Sequence, residues 1–72
     1  MTAGRRALLA VLQLTTGREV ALRCRVCVSC VSEWASGAAR PGPRSRVALE
    51  VVYRIEAASW DTPMRGVRVY AR

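Results

Sequence analysis

The feature that most constrains this chain is a pair of long apolar/polar alternations. Val20, Leu22, Cys24, Val26, Val28 and Cys30 fall on one parity, with Arg23, Arg25 and Ser29 on the other. The pattern returns with Val47, Leu49, Val51, Tyr53, Ile55 and Ala57 against Arg46, Glu50, Arg54 and Glu56. A period of two is what a strand with one buried face produces, because successive side chains point to opposite sides of a sheet. The expected fold class is therefore α+β or mainly β, a short N-terminal helix over a long-stranded, curved antiparallel β-meander of three or four strands.

The expected strands cover 18–32, 46–60 and 66–71; in the last, Val67, Val69 and Ala71 alternate with Arg68 and Tyr70. Residues 1–4 read as a loose terminus. Residues 5–14, rich in Ala and Leu, read as a helix stopped near Gly17, with a strand or a removed signal segment as the alternatives. Residues 35–45 hold Gly37, Pro41, Gly42 and Pro43 and form a Pro/Gly/Arg-rich loop, since proline removes ladder donors. Nothing divides residues 1–72 into more than a single small domain.

Size then bears on assembly. A chain of 72 residues is small enough that folding hides only about 60% of its unfolded surface. A strand running 18–32 would span about 50 Å, against a radius of gyration near ~11 Å for a compact chain of this length. Such strands must bend strongly or project onto a neighbour. The expected partner is another copy or a larger protein assembly, packed through Val20, Leu22, Val26, Val28, Val51 and Tyr53.

The net charge is +7, from 12 arginines against 5 acidic residues; Lys, Phe, Asn and His are missing. The loss of Lys, Phe and Asn together fits a GC-rich coding sequence, yet the charge still favours polyanions. Arg23, Arg25, Arg46, Arg54, Arg68 and Arg72 share the polar parity of their strands and are the candidate contacts for nucleic acid or an acidic surface. Among the aromatics only Tyr70 sits among them, so a base-stacking platform is not expected.

Cys24, Cys27 and Cys30 form C-x2-C-x2-C, which matches the first three ligands of a ferredoxin-type cluster run. The fourth ligand position holds Trp34, with no proline after it, and zinc lacks both a fourth cysteine and any histidine. On a strand, Cys24 and Cys30 would lie about 20 Å apart with Cys27 facing away, so they would neither chelate nor pair. The expectation is no metal and no cofactor, the cysteines serving as small hydrophobes in a reducing intracellular compartment or within a particle. Arg5 and Arg6 before an apolar run resemble the start of a signal peptide, but no small-x-small cleavage site follows, so secretion through residues 5–16 stands as a secondary reading. No apolar run approaches the ~20 residues of a membrane span.

Without histidine, Ser–His and Cys–His nucleophiles are excluded. The acidic residues find arginines on their own predicted faces, and no glycine-rich phosphate loop is present. An enzyme is not expected.

Residues 12–20, Leu-Gln-Leu-Thr-Thr-Gly-Arg-Glu-Val, resemble the strand–turn opening of Sm-like RNA-binding barrels, and Met64-Arg65-Gly66-Val67-Arg68-Val69 is similar to the Arg-Gly segment near the end of that fold. The Asp and Asn of that family's first RNA-binding loop are missing here, and the Pro/Gly-rich loop sits where a strand should run. The resemblance implies an RNA-binding ring. The leading expectation is a non-enzymatic structural or assembly protein of the virion or particle-component type, self-associating through its apolar sheet face. The alternative is a small basic nucleic-acid-binding module.

Overall fold

The computed structural model describes residues 1–63, and these are helical. Four α-helices follow one another: α1 (Ala3–Val11), α2 (Gly17–Cys24), α3 (Val28–Ser36) and α4 (Pro43–Tyr53), then a short 3-10 helix at Ala57–Asp61. The expected β-meander is overturned: the strands at 18–32 and 46–60 are replaced by helices, and the only β pairing among the described residues is an isolated bridge between Thr2 and Pro63. The third expected strand, 66–71, lies outside the described residues.

The physical reason is visible in α2. Val20, Ala21 and Cys24 are buried, which is one turn of a helix. Leu22, on the same sequence parity but about 200° round a helix from Val20, is 73% exposed. In α4, Leu49 is buried while Val47 and Val51 are exposed. The alternation therefore divides between core and solvent instead of making one face. Local chemistry agrees with helix. Thr16 caps α2, its hydroxyl accepting from the Glu19 N–H at 3.1 Å, and Thr-x-x-Glu is a capping box sequence. Glu19 and Arg23 then pair one turn apart at 2.7 Å. Pro43 opens α4 at a position where its missing N–H costs nothing.

The N-terminal helix spans Ala3–Val11 rather than 5–14. Thr2 caps it by accepting from the Arg5 N–H at 3.1 Å. Gly17, expected to stop that helix, instead begins α2. Arg25 ends α2 in the left-handed region at φ 58°, with the Val26 N–H donating to the Ala21 carbonyl at 3.0 Å. Gly37 at φ 88° ends α3, and Arg54 at φ 62° ends α4.

The core gathers Leu8 from α1, Val20, Ala21 and Cys24 from α2, Val31 and Trp34 from α3, Leu49 from α4, and Ile55 and Trp60 beyond it. α2 packs on α3 and α4, while α1 and α4 both pack on the 3-10 helix. Two links tie the 3-10 helix down. The Ala3 N–H donates to the Thr62 carbonyl at 2.7 Å. The Arg46 guanidinium reaches from α4 to the Pro41 carbonyl at 2.9 Å and to Asp61 at 2.8 Å. Among the described residues, no helix is long and apolar enough to cross a membrane.

Candidate functional site

The break between α2 and α3 assembles the most reactive groups of the molecule. After the left-handed turn at Arg25, Cys27 takes the N-cap position of α3 with extended backbone, and Cys30 lies in its first turn. On a helix, residues three apart share a face. The two sulfurs accordingly approach to 3.7 Å and share a hydrogen bond. The strand-based expectation that no two of the cysteines could meet is thus overturned. Cys24 takes no part in the pair and is buried in the core side of α2.

The two thiols are not equivalent. Cys27 is exposed and Cys30 half-buried. Ser29 Oγ donates to Cys27 Sγ at 3.6 Å. That bond, with the one from Cys30, holds the Cys27 thiol below the ordinary thiol range. Hydrogen bonding with Cys27 and partial burial push Cys30 the other way. Burial pushes Cys24 up as well. Cys27 makes no side-chain cap to the α3 backbone, and its place at the helix N-terminus sets its sulfur at the positive end of the helix dipole. An exposed thiol with lowered pKa at a helix N-terminus is the arrangement that makes cysteine nucleophilic.

Among the described residues, no cluster of three or more His, Cys, Asp or Glu side chains sits together to hold a metal ion.

The residues expected to line a common face are separated. Of the six subunit-packing candidates, Val20 is core, Val26 and Tyr53 pack partly against it, and Leu22, Val28 and Val51 are exposed on α2, α3 and α4. Of the arginines, Arg23, Arg25 and Arg54 are exposed, Arg23 being paired with Glu19. Arg46 is largely covered and bound to Asp61. Arg68 and Arg72 lie outside the described residues. The sequence reading missed the Cys27–Cys30 pair. The signal was the capping box at Thr16–Glu19, which marks a helix start where a strand was expected to begin.

No protein-family model, no curated protein and no solved structure matches the chain.

Proposed function

We propose that this protein works as a dithiol–disulfide module, with Cys27 as the attacking thiol and Cys30 as the resolving one. The observation that carries the reading is the 3.7 Å approach of the two sulfurs at the start of α3, with the first thiol exposed. A disulfide needs the sulfurs at about 2.05 Å, and the two already face each other across the first turn of α3.

The exchange runs in two steps. The Cys27 thiolate attacks one sulfur of a substrate disulfide, forming a mixed disulfide and releasing one thiolate of the substrate. The Cys30 thiol, giving up its proton, then attacks Cys27 Sγ and releases the second. The protein is oxidised by two electrons and the substrate disulfide is reduced to two thiols. Run backwards, the same steps reduce the module. The lowered pKa of Cys27 supports its role as first nucleophile, because the thiolate is the reactive form. The higher pKa of Cys30 keeps it protonated until Cys27 has reacted.

Oxidised glutathione tests this directly. Whole-protein mass spectrometry should show the wild type losing the mass of two hydrogens, without a lasting glutathione adduct. Cys30→Ser should stop at the adduct on Cys27, and Cys27→Ser should react much more slowly. Equal adduct formation at both cysteines, with no internal disulfide, would overturn the reading.

A further inference from the structure

Reduced Cys27 and Cys30 have a second use, set by the distance between them. Two sulfurs 3.7 Å apart, each at the about 2.3 Å of a zinc–thiolate bond, subtend about 107° at the ion, close to the tetrahedral angle. A linear two-thiolate ion would hold them two full bond lengths apart, well beyond 3.7 Å. The spacing therefore matches two corners of a tetrahedron. A closed zinc(II) site has four ligands, and thiolate sulfur is among its preferred donors.

The chain does not supply the other two corners. Among the described residues, no third His, Cys, Asp or Glu side chain joins the pair, and residues 64–72 contain none of these types. Histidine is missing altogether, and Cys24 is buried in the core. A second copy brings the same two sulfurs. Related by a two-fold axis through the ion, two copies complete a four-thiolate shell, and such an isologous contact needs no other partner. The surroundings suit it. Cys27 is exposed, and Val28 beside it in sequence is 49% exposed. Four thiolates around one divalent cation leave two negative charges. Arg25, exposed two residues before Cys27, brings one positive charge from each copy.

We infer that the reduced protein binds zinc(II) between two copies, each contributing Cys27 and Cys30. The inference rests on the same thiol pair as the dithiol reading, but not on its exchange chemistry. Zinc and the internal disulfide exclude each other, since metal ligation needs free thiolates. The zinc-bound form is a dimer and the oxidised form a monomer.

The test uses the full chain, reduced with a thiol-free phosphine, stripped of metal and titrated with zinc sulfate. Native mass spectrometry reads the stoichiometry and sedimentation velocity the mass. The expected result is one zinc per two chains and a doubled mass, both reversed by a chelator. Cobalt(II) in place of zinc should give the intense visible bands of a tetrahedral thiolate site. Cys27→Ser, at an exposed position that leaves the core intact, should stay monomeric. It should weaken zinc by more than about 100-fold, the upper cost of losing only an outer hydrogen-bond partner of a ligand. Cys30→Ser should do the same. One zinc per chain on a monomer would overturn the shared site. Dimers that form equally without zinc, zinc binding that survives Cys27→Ser, or no retained zinc would overturn it too. Exchange with oxidised glutathione is read separately on the metal-free protein, so failure of the exchange reading and failure of the zinc site are distinguishable.

Discussion

Gly4 lies against the face of Trp60: a Cβ at residue 4 would fall 2.5 Å from Trp60 Cδ2 and 2.8 Å from Cγ. Trp60 is fully buried, so the ring cannot swing clear. The missing side chain is what lets α1 seat on the 3-10 helix. Gly4→Ala should therefore destabilise the protein even though alanine favours helix. Overpacking a rigid core costs about 1–3 kcal/mol, against a propensity gain of at most about 1 kcal/mol. Chemical denaturation should show a net loss of about 1–2 kcal/mol.

Ser29 sets the reactivity of its neighbour. Its hydroxyl is the largest cause of the lowered Cys27 pKa. In Ser29→Ala, the pH midpoint of Cys27 alkylation by iodoacetamide should rise toward the ordinary thiol value of about 8.5. The wild-type rate at neutral pH should exceed that of the variant, because more of its thiol is ionised. Cys24 should remain unreactive in both until the protein is unfolded, since it is buried.

Arg46 and Asp61 couple α4 to the 3-10 helix, and they give stability an acid limb. The Arg46 guanidinium, with Arg40 beside it, holds the Asp61 carboxyl below its ordinary value. A carboxyl with a depressed folded-state pKa contributes stability that is fully present above its unfolded value of about 3.9. That contribution is lost as pH falls through the lower folded value. Thermal melts between pH 5 and about pH 2 should drop in Tm, and Asp61→Asn should flatten this part of the curve. Arg46→Met, which also removes the bond to the Pro41 carbonyl, should lower Tm by about 5 °C at neutral pH.

Two helices end on arginines in left-handed backbone, Arg25 at φ 58° and Arg54 at φ 62°. That region costs a residue with a Cβ about 1 kcal/mol, which glycine avoids. Arg25→Gly and Arg54→Gly should each stabilise the protein by about 1 kcal/mol in urea unfolding. An unchanged midpoint would mean that the arginine side chains make compensating contacts.

The sequence showed more of the fold in its punctuation than in its hydrophobic pattern. Thr16-x-x-Glu19, Gly37 and Pro43 mark real helix boundaries. The alternation at 20–30 points to a sheet because Val, Cys and Leu occur there at even positions. In a chain with 51% apolar residues such runs also arise on helices whose exposed side carries Leu22 or Val51. Short helices stabilised mainly by tertiary packing leave a weak periodic signal. The thiol site was half legible. The C-x2-C spacing was evident, but its meaning depends on secondary structure, since residues 27 and 30 meet on a helix and diverge on a strand.

The most direct test is peptide mapping of the protein after equilibration in a glutathione redox buffer and acid quenching. The expected result is a monomer with a Cys27–Cys30 disulfide and a reduced Cys24. The disulfide should form reversibly as the buffer potential crosses the range of about −180 to −270 mV occupied by exchange-active dithiols. A disulfide that includes Cys24, a link between chains, or three thiols that stay reduced across that range would contradict the dithiol reading.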